Sequence, residues 1–153
     1  PKSLLRHKLA VSTLEELTQG EFHPILGENE VDDNAVTRLV FCAGKVYYDL
    51  LEARREANLS HVAIARIEQF YPFPERLFKA EIARYPNLNE FVWCQEEPKN
   101  QGAWYNTSHH FIDSMPAEIK VVYAGREASA APAVGNFRVH LEQQKAVVKA
   151  ALF

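Results

Sequence analysis

The sequence predicts an α/β fold in which a parallel sheet carries helices on both faces. Short, continuous apolar runs alternate along the chain with segments of helical periodicity. Such alternation implies right-handed crossovers between parallel strands. The 153 residues, 47% hydrophobic and 24% charged, suit one globular domain with its own core rather than a disordered or fibrous chain.

The first predicted element is a short helix over residues 13–19. Ser12 and Glu15 have the spacing of a capping box, in which each side chain accepts a hydrogen bond from a free N–H of the first turn. Gly20 follows the helix and is expected to end it in the left-handed conformation.

An edge strand and a loop are predicted next. Residues 21–27 have strand character, but Pro24 has no N–H to donate, which confines this segment to the edge of a sheet. Residues 28–34 are acidic and contain almost no apolar side chains. They predict a loop surrounded by solvent.

Strands and helices alternate from residue 38 onward. Continuous apolar runs predict strands that are covered on both faces: 39–42, 62–65, 91–94 and 119–124. Helical spacing and helix-stopping residues predict helices between and after them: 46–57 closed by Asn58, 74–85, 103–115, and a last helix with Phe137, Leu141, Val148 and Leu152 on one face.

Ligands usually bind at the sheet edge where parallel strands end. All the parallel strands direct their carboxyl ends to that edge, and the loops that follow them gather there: 43–45, 68–74, 95–102 and 125–135. Candidate functional residues are therefore expected in these loops.

Composition excludes several classes of protein. The formal net charge is −3 and the basic residues are scattered, so no basic stripe is available for nucleic acid. No apolar run approaches the ~18 residues of a membrane helix, so no membrane partner is expected. The 2 cysteines are too few for a disulfide-stapled secreted fold or a zinc site, which favours a reducing compartment.

Common catalytic motifs are missing from the sequence. The glycines form neither a G-x-G-x-x-G fingerprint nor a P-loop, and no G-x-S-x-G occurs. His109 and His110 are adjacent, so their side chains are expected to diverge on a helix and no metal site is predicted. Cys42 and Cys94 lie in predicted buried strands and are expected to be inert, although a small hydrolase that uses Cys94 is an open alternative.

The densest polar cluster follows the third of these strands: Gln95, Glu96, Glu97, Asn100, Gln101, Gly102 and Trp104. Its two carboxylates could carry out the acid–base chemistry of a hydrolase. The favoured interpretation is structural: the glutamates cap the next helix, and the amides satisfy backbone groups in a loop packed against another subunit. Trp104 also begins a helical stripe that is expected to be buried: Ser108, Phe111, Ile112 and Met115.

Five strings of residues occur in order along the chain: PKSLLRHK (1–8), GKVYYDL (44–50), VAIARIEQFYPFP (62–74), FVWCQEEPKNQGAW (91–104) and YAGREASAAPAVG (123–135). They closely resemble the C-terminal domain of the decarboxylating component of 2-oxoglutarate dehydrogenase, in the transketolase-like superfamily. This resemblance implies an open, mostly parallel sheet of five strands with one antiparallel edge strand, which residues 21–27 could provide.

The resemblance also implies a function in the citric acid cycle. Enzymes of this family depend on thiamine diphosphate and Mg²⁺, decarboxylate 2-oxoglutarate, and pass the succinyl group to the lipoyl arm of a succinyltransferase partner. It implies a homodimer that this domain helps to form, with the cofactor between two earlier domains. The family's cofactor pattern begins G-D-G and ends in an Asn pair, and neither occurs here. We therefore expect no catalytic, cofactor-binding or metal-binding residue in this chain, and no activity of the fragment alone.

The chain is expected to be part of a longer polypeptide, because it opens with Pro1 rather than Met. Residues 1–20 predict a linker and a short helix from a preceding domain, and residues 21–153 predict a single α/β domain. Bacterial cytoplasm is the expected location, and the mitochondrial matrix is also compatible.

Some relatives bind acetyl-CoA or a nucleotide as a regulator near this domain. Cations near the carboxyl edge are the candidates for holding its phosphates: Lys45, Arg66, Arg76, Lys99 and Arg126. Ordinary surface charge is the favoured explanation for these five residues. An independent module that binds a nucleotide or an acyl-CoA is the alternative to a dimer-forming domain.

Overall fold

The computed structural model describes residues 2–153 and confirms the α/β fold. Five strands form one sheet: β1 (Ile25–Leu26), β2 (Arg38–Cys42), β3 (Val62–Ile67), β4 (Glu90–Pro98) and β5 (Lys120–Arg126). A 3₁₀ helix at Lys2–Arg6 and five α-helices complete the described residues: α1 (Leu14–Gln19), α2 (Val46–Glu56), α3 (Glu75–Ala83), α4 (Trp104–Ser114) and α5 (Phe137–Leu152).

The strands lie in the order β1–β3–β2–β4–β5. Strands β2 to β5 run parallel to their neighbours, whereas β1 pairs antiparallel with β3. This confirms the mostly parallel sheet with one antiparallel edge strand. Pro24, just before β1, accepts a hydrogen bond from Glu68 N at 2.9 Å but has no N–H with which to extend the ladder, and β1 is only 2 residues long.

Each face of the sheet has its own hydrophobic core. Helices α3 and α4 cover an aromatic face, whose largest members are at most 1% exposed: Phe41, Phe78, Phe91, Trp93 and Phe111. Helices α2 and α5 cover an aliphatic face: Val40, Leu50, Ile64, Val92 and Leu152. In the described part of the chain, no helix has both the length and the apolar character needed to cross a membrane.

The N-terminal capping box lies one residue later than predicted. The Thr13 hydroxyl accepts a hydrogen bond from Glu16 N at 3.2 Å, and the Glu16 carboxylate accepts one from Thr13 N at 2.7 Å. The prediction of Ser12 and Glu15 is wrong because two adjacent hydroxyl residues offered the same signal. Gly20 is not left-handed, since its φ is −74°. A glycine fits there because a Cβ would lie 2.1 Å from the carbonyl oxygen of Glu16.

The acidic segment 28–34 is not wholly a solvated loop. Glu28 is buried, forms an ion pair with Arg54 of α2, and accepts a hydrogen bond from Ile64 N at 2.9 Å. The prediction failed because a carboxylate is buried only when it is paired, and the partner lies 26 residues further along the chain.

Two of the predicted helices differ from the observed ones. The region predicted at 74–85 is helical only over Glu75–Ala83, whereas Asn58 does close α2, with a φ of 54°. The predicted apolar face of the last helix is wrong in its first half, because Phe137 and Leu141 are 74% and 43% exposed. The second half of that helix packs on the sheet, where Leu152 is buried.

Candidate functional site

The side-chain amide of Gln95 joins β4 to the start of α4. Gln95 is 3% exposed, and its Oε1 accepts hydrogen bonds from Trp93 Nε1 at 2.9 Å and from Trp104 N at 3.1 Å. Its Nε2 donates to the carbonyl oxygens of Glu97 and Pro98, both at 3.2 Å. The amide is therefore fully occupied by the protein itself.

Gly102 allows this close approach of the Gln95 amide. A Cβ at residue 102 would lie 2.3 Å from Gln95 Nε2. Gln95 also corrects the prediction that Glu96 and Glu97 cap α4. No side chain caps α4 at its N-cap residue, the first helical N–H is bound by Gln95, and both glutamates belong to β4, which continues through a bulge to Pro98.

Glu96 belongs to a polar cluster that fixes α2 and α5 at the sheet edge. Lys45 Nζ lies 2.7 Å from Asp49 Oδ2 and 3.0 Å from Glu96 Oε1. Gln144 Nε2 donates to the same two carboxylate oxygens, at 2.7 Å and 2.8 Å. Burial acts to lower the pKa of Lys45, but the hydrogen bonds to Asp49 and Glu96 outweigh it, and the pKa is raised. Lys45 therefore keeps its charge, and Glu96 is not a free acid.

Two loops at the carboxyl edge are hydrogen-bonded to one another. Asn100 Nδ2 and Gln101 Nε2 donate to the carbonyl oxygen of Ser129, at 3.1 Å and 2.6 Å, and Ser129 N donates to Asn100 Oδ1 at 3.0 Å. As predicted, these two amides satisfy backbone groups. The backbone that they satisfy belongs to the loop after β5.

The five candidate cations do not converge on one site. Arg66, on β3, lies 2.7 Å from Glu68 and 4.7 Å from the centre of the Tyr47 ring. Arg76 is exposed on α3. Near β5, Lys99 lies over the Tyr123 ring at 5.1 Å, and Arg126 donates to the carbonyl oxygen of Pro132 at 2.7 Å; Lys45 is held by the two carboxylates named above.

Two of the cavities at the carboxyl edge are poorly suited to phosphate. A cavity of about 370 Å³ lies between β4 and α4 and contains no Lys or Arg in its lining, although Glu97 lines it. A second cavity, of about 190 Å³, is lined by Arg126 but also by Glu96 and Glu97. Carboxylates repel a phosphate, so neither cavity offers an anion a set of unopposed cations.

Both cysteines are inert by geometry. Cys42 and Cys94 are paired across β2 and β4 and are completely buried. Burial, aided by the nearby Glu96 carboxylate, raises the pKa of Cys94 to about 12, and burial raises that of Cys42 well above its usual range. A hydrolase that uses Cys94 would need a thiolate at neutral pH, and this environment disfavours it.

The structure contains no ready-made metal site among residues 2–153: no group of three or more His, Cys, Asp or Glu side chains could hold an ion. The expected divergence of His109 and His110 is wrong, because their ring centres lie 3.9 Å apart. His110 stacks on Phe73 at 4.3 Å. Two adjacent imidazoles alone make an incomplete ligand set.

The predicted stripe on α4 is buried only in part. Phe111 is fully buried, but Ile112 is 57% exposed, so its assignment to the core is wrong. Trp104 is half-buried and packs on the Tyr123 ring with 5.1 Å between centres. The side chain that completes the buried face is Thr107, which is 2% exposed and which the apolar pattern could not identify.

Sequence reasoning missed three residues that hold this edge together. Asp49 carries a weak signal, because it lies four residues after Lys45 on the same helix. Gln144 and Ser129 carry none, since each contacts residues at least 28 positions away. Gln95, Glu96, Lys45, Asn100 and Gln101 are thus held in structural contacts at the carboxyl edge, whereas Arg76 is exposed.

The sequence is similar to one family of known proteins along nearly its whole length. A family model described as 2-oxoglutarate dehydrogenase C-terminal matches residues 11–152. The chain is 55% identical over 153 residues to the 2-oxoglutarate dehydrogenase E1 component of Haemophilus influenzae, and 54% identical over 155 residues to that of Azotobacter vinelandii. Each match covers 99% of this chain but only 16% of the relative. The chain belongs to the 2-oxoglutarate dehydrogenase C-terminal family.

Proposed function

We propose that the chain is the C-terminal, dimer-forming domain of a thiamine-diphosphate-dependent 2-oxoglutarate dehydrogenase, and that it has a structural rather than a catalytic role. The observation that carries the proposal is the occupation of the carboxyl edge. Gln95 binds four protein groups, and Glu96 is held by Lys45 and Gln144. Side chains that are already satisfied in this way stabilise a fold, and Glu96 is not available as the second member of an acid–base pair with Glu97.

The cofactor is bound elsewhere in the whole enzyme. Thiamine diphosphate needs a cradle for its diphosphate and ligands for Mg²⁺, which prefers oxygen donors. The sequence has no G-D-G and no Asn pair, and the described residues offer no cluster of metal ligands. The residues present therefore do not fit the cofactor, and the preceding domains of the polypeptide supply its site.

The partners follow from the same assignment. The whole enzyme decarboxylates 2-oxoglutarate in the citric acid cycle, transfers the succinyl group to a lipoyl-bearing succinyltransferase, and acts as a homodimer in the bacterial cytoplasm. Residues 1–20 link this domain to the preceding one, and residues 21–153 form the domain itself. The exposure of every residue of α1 supports this division, because Leu14 and Leu17 are 75% and 72% exposed.

The test compares the chain with the full-length polypeptide. Each is incubated with thiamine diphosphate, Mg²⁺, 2-oxoglutarate and an artificial electron acceptor, and released CO₂ is measured. The full-length protein is expected to release CO₂ and the chain alone to release none, while its circular dichroism spectrum shows that it is folded. CO₂ production by the folded chain would overturn the proposal.

Binding of a regulator is a second candidate function. The observation in its favour is that Lys99 and Arg126 are neighbours in the backbone, since Lys99 N donates to the carbonyl oxygen of Arg126 at 3.0 Å. These two cations, rather than all five candidates, would then contact the phosphates of a nucleotide or of acetyl-CoA. Calorimetric titration of the full-length enzyme with acetyl-CoA tests this role. Heat of binding from the unsubstituted enzyme that is lost in the double variant Lys99→Ala, Arg126→Ala would support a regulator site. The absence of heat from the unsubstituted enzyme would exclude one.

A further inference from the structure

The carboxyl edge of the sheet contains a topological switch point between β2 and β4, which are neighbours in the sheet. The chain leaves β2 for α2, which covers the aliphatic face, and leaves β4 for α4, which covers the aromatic face. Neighbouring parallel strands whose connections depart to opposite faces leave a crevice between them, and ligands of open α/β sheets usually bind there. The strand order therefore places a binding crevice between the ends of β2 and β4.

A cavity of about 370 Å³ occupies this crevice. Its size lies within the about 300–1,000 Å³ of typical ligand pockets. The loops that follow β2, β3 and β4 all contribute to it, through Ala43, Phe70 and Gly102. Phe70 packs edge-on against Trp93 with 6.0 Å between ring centres, and the two rings form an apolar wall. We call this space the switch-point cavity.

The polar part of the lining offers acceptors and one formal charge. Glu97 is exposed, and its carboxylate has no partner among residues 2–153, whereas the carboxylate of Glu96 is paired. Gln101 donates its Nε2 to the carbonyl oxygen of Ser129, which leaves its Oε1 open, and Asn106 adds an exposed amide. Within the described part of the chain, no lysine or arginine lines the cavity. The lining is therefore negatively charged.

We propose that the switch-point cavity binds a guanidinium group, with the carboxylate of Glu97 as its counter-ion. A guanidinium is planar and carries N–H donors but no acceptor, which matches a lining of carboxylate and amide oxygens. A carboxylate accepts a pair of parallel hydrogen bonds from this group, and the flat cation also stacks on aromatic rings such as those of the cavity wall. This assignment goes beyond the structural role proposed above, which gives the cavity no ligand.

The same features disfavour other common ligands. Glu97 would repel an anion. A divalent cation such as Ca²⁺ needs several oxygen ligands, and residues 2–153 contain no cluster of side chains that could hold a metal. An ammonium group is more strongly hydrated than a guanidinium and has no flat face to place against Phe70 and Trp93.

The guanidinium can come from two sources in the whole enzyme. One is a free small molecule that enters the open cavity. The other is an arginine side chain of the preceding domains, because this chain covers only 16% of the relatives that it matches. The chemistry at Glu97 is the same in both cases, and the experiment separates them.

The test titrates the full-length enzyme with phenylguanidine and with phenylurea, its uncharged counterpart of similar shape, and calorimetry gives both dissociation constants. Glu97→Gln removes the counter-ion but keeps the size of the side chain. Glu127→Gln is the matched control, because Glu127 is also exposed after the end of β5 but does not line the cavity. Thermal unfolding of both variants is recorded at low and at high salt.

A free ligand predicts that phenylguanidine binds at least about fivefold more tightly than phenylurea, as expected for one exposed ion pair, and that only Glu97→Gln removes this preference. An arginine of the preceding domains predicts no binding of the probe and a lower Tm of Glu97→Gln than of Glu127→Gln, with a smaller difference at high salt. Binding without a preference for the cation, or a preference that survives in Glu97→Gln, would overturn the inference. The absence of binding together with equal Tm values, or with a Tm difference that salt does not change, would also overturn it.

Discussion

Replacing Glu28 with alanine tests the buried ion pair that joins the acidic segment to α2. The variant removes the partner of Arg54, whose side chain is 3% exposed. Breaking a buried pair in this way costs about 3–5 kcal/mol, because the other charge stays buried without compensation. In the variant, Arg54 still has its ion pair with Glu30, at 2.6 Å, whereas Ile64 N loses the Glu28 oxygen that accepts its hydrogen bond at 2.9 Å. We therefore expect the free energy of unfolding to fall by about 3–4 kcal/mol.

Urea unfolding followed by circular dichroism and tryptophan fluorescence measures this loss. Trp93 is 1% exposed and reports the opening of the core. The midpoint should fall while the slope with urea stays constant, and Tm should fall by about 6–16 °C for a chain of this size. Arg55→Ala is the control, because Arg55 also pairs with Glu30 but is 46% exposed. An exposed pair contributes at most about 1 kcal/mol.

The double variant Glu28→Ala, Arg54→Ala measures how much of the loss comes from the interaction between these two side chains. It should lose less stability than the sum of the two single variants, because removing both members leaves no uncompensated charge. A loss below about 1 kcal/mol for Glu28→Ala, no greater than that of the exposed control, would refute the assignment of a buried, compensated charge.

Cys42 and Cys94 should be unreactive toward a thiol reagent at about pH 8 in the folded chain and fully reactive in urea, because burial raises both pKa values; rapid labelling of the folded chain would contradict this. A hydrogen bond from a neighbouring guanidinium lowers the pKa of Glu30 below 4.5, so its contribution to stability is complete above that pH and is lost as the pH falls through the lower folded value. Urea unfolding is measured from about pH 6 to pH 3, and the free energy of unfolding should fall less on acidification in Glu30→Gln than in the unsubstituted chain. An identical fall in both proteins would count against the ion pair. Gln95→Ala should cost about 2–3 kcal/mol in urea unfolding, because a buried indole N–H loses its acceptor. Gly102→Ala displaces the same Gln95 amide, so the double variant should lose less stability than the sum of the two single variants. A fully additive loss would exclude displacement of the amide as the cause.

The sheet could be predicted from the sequence because its signals are local. Each of β2 to β5 contains a continuous apolar run, and burial on both faces is what makes such runs apolar. The edge position of β1 could also be predicted from the sequence, since Pro24 lacks the N–H that a central strand needs. The strand β4 was predicted too short, because the bulge and the polar residues after Cys94 removed the apolar signal while the pairing with β5 continued to Pro98.

The contacts at the carboxyl edge could be predicted only in part. The sequence drew attention to Gln95 and Gly102 as members of a polar cluster, but it assigned the capping role to Glu96 and Glu97. The distinction depends on which side chain reaches Trp104 N, and that is decided by the bulge in β4. Gln144 lies 48 residues from Glu96, a distance at which no local pattern operates.

Helix α4 shows a further limit of periodicity. A stripe of apolar residues at helical spacing predicts that one face is buried, but α4 has two such stripes, and the pattern does not say which one meets the sheet. Phe111 lies on the buried stripe, and Ile112, its neighbour in sequence, lies on the exposed one. The choice is made by packing against Phe78 and Phe91, which belong to other elements.

We propose that this chain braces an enzyme whose cofactor is held by other domains. Calorimetric titration of the folded 153-residue chain with thiamine diphosphate in the presence of Mg²⁺ tests it most directly. We expect no saturable heat from the chain and a saturable signal from the full-length polypeptide. Saturable binding of thiamine diphosphate to the chain alone would contradict a purely structural role for this domain.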